Sequence, residues 1–299
     1  MDLLLLYRPY LPTLMKILSI AILCIGLLCT ACDKPQTTNS QTSKTSTAQT
    51  NVTVLSEAFA MPGLNRTRHI RIYLPPNYTT SDKRYPVLYM HDGQNLFDDA
   101  TSFIGEWGVD ETLNKLAKEA KLELIVVGID NADKERMHEL NPWPNLEFSP
   151  PEGRQYMDFI VKVIKPYIDQ HYRSKPDRSN TAIMGSSMGG LISHYAINQY
   201  PEVFSKAGIY SPSYWISNQS IEFIAKQAAP KDARLYIATG ENEGGTQVAD
   251  AERAHAVLIK VGHPRENLSF KIVKDAEHNE TFWRSDFENA VLWLFAESQ

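Results

Sequence analysis

The segment Gly185-Ser186-Ser187-Met188-Gly189 constrains this chain more than any other. An apolar run, Asn180-Thr181-Ala182-Ile183-Met184, precedes it and predicts a short buried strand. The stretch from Met188 to Ile197 that follows predicts a helix. A strand that turns directly into a helix around one serine holds that serine in a strained backbone conformation. Small neighbours are needed where the two elements cross. Such a turn leaves the Ser187 hydroxyl exposed at the C-terminal edge of a sheet. A serine that only capped the helix would need no partners elsewhere, so the rest of the chain decides between the two readings.

The rest of the chain supplies those partners. Arg234–Thr239 predicts a strand followed by Gly240-Glu241-Asn242-Glu243-Gly244-Gly245, then a helix over about 247–261. Leu268–Val273 predicts the next strand, followed by Lys274-Asp275-Ala276-Glu277-His278-Asn279-Glu280 and a last helix over about 281–296. Alternation of this kind predicts an α/β domain with a mostly parallel central sheet and helices on both faces. It also places a serine, an acid and a histidine past three strand ends, in that order. A serine hydroxyl becomes a competent nucleophile when a neutral imidazole accepts its proton. A carboxylate on the other ring nitrogen fixes the tautomer. His278 is the candidate base. His194, His255 and His263 fall on or at the end of helices, and His69 in an early strand. Glu243, followed by glycines, is the first candidate acid and Glu241 the second, with Asp250 and Asp275 behind them.

An oxyanion formed at this serine needs backbone donors. The N–H of Met188 is one candidate. The loop His91-Asp92-Gly93-Gln94-Asn95, after the predicted strand Tyr85–Met90, offers the N–H of Gln94 as the other. His91-Asp92 has no second histidine at ligand spacing, so no metal and no cofactor is expected.

Several stretches carry a family likeness. They are Tyr-Met-His-Asp-Gly-Gln-Asn-Leu-Phe at 89–97, Gly-Glu-Trp-Gly-Val-Asp at 105–110 and Val-Val-Gly-Ile-Asp-Asn at 126–131. Gly-Ser-Ser-Met-Gly-Gly-Leu-Ile-Ser at 185–193, Ser-Pro-Ser-Tyr-Trp at 211–215, Gly-Glu-Asn-Glu-Gly at 240–244 and Glu-His-Asn-Glu at 277–280 complete the set. From about residue 54 to its end the chain resembles the esterase-D-like branch of the α/β-hydrolases. That branch includes feruloyl and acetyl-xylan esterases, formylglutathione hydrolase, siderophore esterases and mycolyltransferases. The resemblance implies an α/β-hydrolase fold and a serine carboxylic-ester hydrolase working through an acyl-enzyme. It also implies that the Gly-x-x-Glu segment supplies the acid, favouring Glu243. A siderophore lactone or an acylated sugar is the implied small-molecule substrate. An acyltransferase with the same triad and a non-catalytic, lipid-anchored binding protein are the alternatives. The intact Ser, His and Glu set argues against the last.

The N-terminus predicts export. Met15-Lys16 opens an apolar core, Ile17–Leu28, and Cys29-Thr30-Ala31-Cys32 follows. A basic start, a short apolar core and small residues describe a signal peptide over 1–31, with Met15 a possible true start. Small residues before Cys32 look like a bacterial lipobox, so Cys32 is the expected lipidation site and the bilayer a partner through that anchor. Residues 32–52, poor in apolar side chains, predict a flexible tether, and 53–299 the globular domain. The cysteines, Cys24, Cys29 and Cys32, all lie before that domain, which excludes a disulfide framework or a catalytic thiol within it. A net charge of −5 with dispersed basic residues argues against nucleic acid as a partner.

The long stretch from Asn131 to Glu152 follows a predicted strand and carries Trp143 between two prolines. Long loops at strand ends tend to serve the site. Trp143, Tyr214 and Trp215, with Trp283, are therefore expected to form a substrate-binding wall. Glu106, Trp107 and Asp110, in the Gly-Glu-Trp-Gly-Val-Asp stretch, match the family without an assigned role; for Asp110 helix capping is the plain structural account.

Overall fold

A computed structural model describes residues 44–296. The expected signal peptide, Cys32 and the first part of the expected tether lie outside the described residues. The strands are β1 (Val52–Val54), β2 (Phe59–Met61), β3 (Arg66–Arg68), β4 (Ile70–Tyr73), β5 (Val87–His91), β6 (Ile125–Ile129), β7 (Thr181–Ser186), β8 (Lys206–Tyr210), β9 (Arg234–Gly240) and β10 (Leu268–Val273). The helices are α1 (Val109–Lys118), α2 (Arg136–Glu139), α3 (Gly153–Phe159), α4 (Lys165–His171), α5 (Met188–Gln199), α6 (Gln219–Lys226), α7 (Gln247–Lys260) and α8 (Glu280–Phe295).

Eight strands form one sheet in the order β1-β4-β6-β5-β7-β8-β9-β10, and β2 and β3 form a separate hairpin. Pairing is parallel from β6 through β10 and antiparallel where β4 meets β1 and β6. The central strands are buried along their whole length, as expected when helices cover both faces. Period-two alternation divides each strand between two cores. Val87 and Tyr89 of β5 face the layer of α3 to α7, while Leu88 and Met90 face α1 and α8.

The chain leaves β5 for β6 on one side and returns to β7 on the other. Loops after β5 and β7 therefore diverge, and a crevice opens at the C-terminal ends of these strands, where open α/β sheets place their ligands. Backbone contact at the β7–α5 crossing is tight. A Cβ on Gly185 would stand 2.9 Å from the backbone of Gly189, and one on Gly190 would stand 2.4 Å from the Tyr210 carbonyl oxygen.

The expected tether ends sooner than its composition predicts. Ser46 Oγ donates to Asp98, Thr47 Oγ1 to Glu106 at 2.6 Å, and the Gln49 N–H to Asp110 at 2.8 Å. Residues 44–51 thus lie along the domain, held by side chains 50 to 60 positions away in sequence. Polar pairing supplies what the missing apolar surface cannot. Asp110 does not cap α1 with its own side chain; Gly108, at φ 60°, occupies the cap position, and Asp110 holds the N-terminal segment instead.

Candidate active site

Ser187 sits between β7 and α5 at φ 59° and ψ −119°, a region that side-chain-bearing residues rarely occupy. Three backbone bonds hold it there: its N–H donates to the Tyr210 carbonyl at 2.9 Å, and its carbonyl accepts from Leu191 N–H at 3.0 Å and from Ser213 N–H at 3.1 Å. The Ser187 hydroxyl is 3.2 Å from the Ser213 hydroxyl, and no Ser187–His278 hydrogen bond is formed among the described residues. Ser187 and His278 nevertheless line one cleft of about 240 Å³, together with His91, Asp92, Trp107 and Trp283.

His278 follows β10, and its Nδ1 is 2.9 Å from Glu243 Oε2. The Glu243 side chain is fully buried, whereas that of His278 is 35% exposed. The other Glu243 oxygen, Oε1, accepts from Ser211 Oγ and from Gly240 N–H, both at 2.5 Å. Ser211 Oγ in turn accepts from Trp283 Nε1 at 2.9 Å. The Trp283 ring meets the His278 ring edge-to-face, with centroids 5.2 Å apart. One chain of contacts thus fixes the carboxylate from behind and the imidazole from the side. Ser211 and Ser213 were not singled out from sequence, although Ser-Pro-Ser at 211–213 was part of the family likeness.

Other candidate residues separate cleanly. Glu241 is exposed and accepts from Asp275 N–H, away from any histidine. Asp250 takes Thr246 Oγ1 at the start of α7. His194 is buried with its Nδ1 2.5 Å from Tyr214 Oη, and burial pushes its pKa down to about 3. His263 bonds the Ala233 carbonyl, and His255 stacks on Phe270.

The expected aromatic wall is corrected. Trp143 is buried against Tyr195 and Phe223, behind α5 rather than in the cleft, because its loop folds back onto the helix layer. Tyr214 is also core. Trp215 is 52% exposed and does not line the cleft. Residues 214–216 form a single 3-10 turn, in which successive side chains diverge, so Tyr214 points inward and Trp215 outward. Trp283 does line the cleft as expected, and Trp107, Phe103 and Ile104 complete its wall. Of the long 131–152 stretch, Arg136 reaches the cleft.

The expected oxyanion donors stand differently. The Met188 N–H, in the first turn of α5, donates to no protein acceptor among the described residues. The same holds for the N–H of Gln94, in the 3-10 turn that follows Asp92 at φ 57°. Asp92 and Asn95 line the cleft and Gln94 does not; its side chain turns to accept from Asn131 N–H at 2.9 Å.

The floor of the cleft is charged but compensated. Burial works against the charge of Asp92, yet Arg136, whose Nε and Nη2 donate to it at 2.6 and 2.9 Å, keeps its pKa below the usual carboxylate range. Burial pushes His91 down to about 4, so this imidazole is neutral near pH 7, with Nδ1 2.7 Å from Tyr156 Oη. No histidine or cysteine cluster of metal-ligand geometry lies here among the described residues.

A strained serine on a strand-to-helix turn, a histidine after the last strand and a buried glutamate behind it, on this sheet order, define an α/β-hydrolase. Comparison with known proteins gives the family. Residues 62–294 match the family described as "Putative esterase", and the chain belongs to it. The uncharacterized protein YbbA of Bacillus subtilis is 28% identical over 246 residues, 78% of this chain and 94% of that protein. The iron(III) salmochelin esterase of Escherichia coli is 23% identical, over 73% of this chain and 52% of its own length. Among solved structures, the BES protein from Bacillus cereus superposes with a TM-score of 0.70 at 18% identity, covering 87% of this chain and all of that one. The enterobactin esterase of Shigella flexneri gives 0.66 at 18% identity, covering 83% of this chain and 59% of its own. Ester hydrolysis is accordingly the reaction class of this protein.

Proposed function

We propose that the protein is an exported, lipid-anchored serine ester hydrolase with Ser187 as nucleophile, His278 as base and Glu243 as the orienting carboxylate. The observation that carries this reading is the 2.9 Å bond from His278 Nδ1 to Glu243, with Ser187 and His278 facing one cleft. Glu243 accepts from Nδ1–H, which leaves Nε2 with a lone pair. Rotation of the Ser187 hydroxyl away from Ser213 brings it toward that nitrogen. Oγ attacks the ester carbonyl carbon as Nε2 takes its proton. The carbonyl oxygen becomes an oxyanion, for which the free N–H groups of Met188 and Gln94 are the proposed donors. One such donor contributes about 3 kcal/mol to the transition state. The C–O bond to the alcohol then breaks, and His278 returns the proton to the departing oxygen. Water repeats the sequence on the acyl-enzyme, releasing the acid and restoring Ser187.

The exposed face of His278 leaves room for that water to reach the acyl-enzyme. Siderophore lactones and acylated sugars both fall within the proposed substrate class, the former motivated by the salmochelin and enterobactin esterases among the relatives. The test is Ser187→Ala assayed on 4-nitrophenyl acetate. We expect kcat to fall by about 10⁶, and an aryl phosphonate to add one mass equivalent to the wild type and none to the variant. Full activity in purified Ser187→Ala protein would remove the serine from the mechanism.

A further inference from the structure

A second cavity, of about 480 Å³, lies beside the cleft of Ser187. Thr47 and Glu106 bound it on one side; Asn279, Glu280, Thr281 and Arg284 bound it on the other. Glu280 and Ile104 belong to the walls of both cavities. Glu280 is the first residue of α8, two positions after His278, and the proposed triad does not use it. Its side chain is largely buried, and Oε1 accepts from Asn95 Nδ2 at 3.3 Å. Oε2 has no protein donor, and it is not among the atoms sealed from solvent. Burial pushes the Glu280 carboxyl up and the charge of Asp92 adds to this, outweighing its own backbone N–H and the charges of His278 and Arg136.

The cavity wall is acidic. Asp99, Glu106 and Glu280 bring three carboxyl groups against the guanidinium of Arg284, with the Lys44 ammonium 3.5 Å from the Asp99 carboxylate. That guanidinium is already committed to the Glu106 carbonyl. Glu106 adds charge to the wall but no free acceptor, since Oε1 takes Thr47 Oγ1 and Oε2 is sealed from solvent; the acceptor open to the cavity is Glu280 Oε2. A wall of this kind rewards hydrogen-bond donors and disfavours anions. Ile104, 84% exposed, offers the one large apolar surface.

We propose that this cavity is a second subsite, which receives a donor-bearing, non-anionic part of the ester held at Ser187, and that Glu280 at the junction selects it. Hydroxyl groups and an ammonium share this chemistry. The N-terminal segment, through Thr47, completes the subsite, so residues 44–51 form part of a binding wall. The inference rests on the esterase reading above and adds the polarity of one half of the substrate.

Two kinds of measurement test it. Ligand-observed NMR on the wild type and on Glu280→Ala would follow methyl glucoside, choline and glucuronate, none of which requires turnover. We expect saturation transfer to methyl glucoside or choline, weakened in Glu280→Ala, and none to glucuronate. Which of the first two binds tells hydroxyl from ammonium. Kinetics would compare a methyl glucoside monoacetate and acetylcholine with cyclohexyl acetate, which lacks donors. Glu280→Ala should raise KM for the substrate of the class that binds by about tenfold, as expected for losing a hydrogen bond to a carboxylate. Cyclohexyl acetate, which offers the carboxylate no donor, should lose distinctly less than the donor-bearing ester. Thr281→Val, on the exposed rim of the second cavity only, should follow the same pattern more weakly. Binding that Glu280→Ala leaves intact, stronger transfer to glucuronate, no transfer to any probe, or an equal loss on all esters would overturn the subsite. Absence of turnover on every ester, or turnover unchanged in Ser187→Ala, would instead overturn the esterase reading.

Discussion

Replacing Glu243 by glutamine tests whether this carboxylate selects the histidine tautomer. The side chain is buried, and its two oxygens do different work. Oε1 faces two donors, Ser211 Oγ–H and Gly240 N–H, whereas Oε2 faces the single Nδ1 of His278. A glutamine has one oxygen to place. Turning its amide nitrogen toward Gly240 N–H would set two donors about 2.5 Å apart in a buried site, at a cost of several kcal/mol. The oxygen therefore stays at the Oε1 position and the amide N–H points at Nδ1. His278 must then present a lone pair at Nδ1 and carry its proton on Nε2, where it can no longer accept from Ser187. Changes of this kind in Ser-His-Asp enzymes lower kcat by about 10⁴, which corresponds to about 5 kcal/mol of barrier. We expect the same order in steady-state kcat on 4-nitrophenyl acetate, with KM nearly unchanged and the thermal midpoint within a few degrees of wild type. A Glu243→Gln enzyme within tenfold of wild type would refute the tautomer argument and reduce Glu243 to a structural anchor.

Two further outcomes are expected. Burial pushes the Asp110 carboxyl up to about 8, so the folded protein keeps a proton that an unfolded carboxyl, near 3.9, releases. The contribution of Asp110 to stability should thus be fully present below about pH 4 and lost as pH rises through about 8; the thermal midpoint of Asp110→Asn relative to wild type should therefore rise across this window. Cys32→Ser should shift the protein from the membrane to the soluble fraction or block its processing; unchanged fractionation with no acyl mass on the mature N-terminus would count against the lipid anchor.

The elements were legible because their signals are local. Leu268–Val273 is a strand within the residues its apolar run predicts, and α7 and α8 begin within a residue of expectation. The serine turn was legible for the same reason, since small residues flank a single hydroxyl and Gly190 leaves no space for a Cβ. What sequence missed depends on which side of an element a side chain faces after packing. Trp143 and Tyr214 were read as cleft residues from their place after strand ends, yet both point into the layer of α5. Composition misjudged residues 44–51 because it weighs apolar burial alone, whereas Asp98 and Glu106 take the Ser46 and Thr47 hydroxyls, and Asp110 the Gln49 backbone N–H, from far along the chain. Ser211 carried one signal, its place in the family likeness, but its role appears only when β8, β9 and α8 converge.

The arrangement divides rigidity unevenly, and the division bears on rate. His278 is held by Glu243, by the edge-to-face contact with Trp283 and by its place one residue before Asn279, whose side chain caps α8 through Phe282 N–H. The Ser187 backbone is held by two bonds to β8 and its following loop, while its hydroxyl lies 3.2 Å from that of Ser213. On the proposed mechanism the first chemical step requires the Ser187 hydroxyl to leave Ser213 for His278. Rotamer changes of accessible side chains take picoseconds to nanoseconds, whereas typical turnovers take milliseconds or longer. On the proposed mechanism, alignment of Ser187 is fast beside turnover, and removing its alternative partner by Ser213→Ala should not accelerate the enzyme. The proposed donors, Met188 N–H and Gln94 N–H, and the tautomer proposed to be fixed by Glu243 would act together on the tetrahedral adduct, so their loss should lower the rate where loss of Ser213 does not.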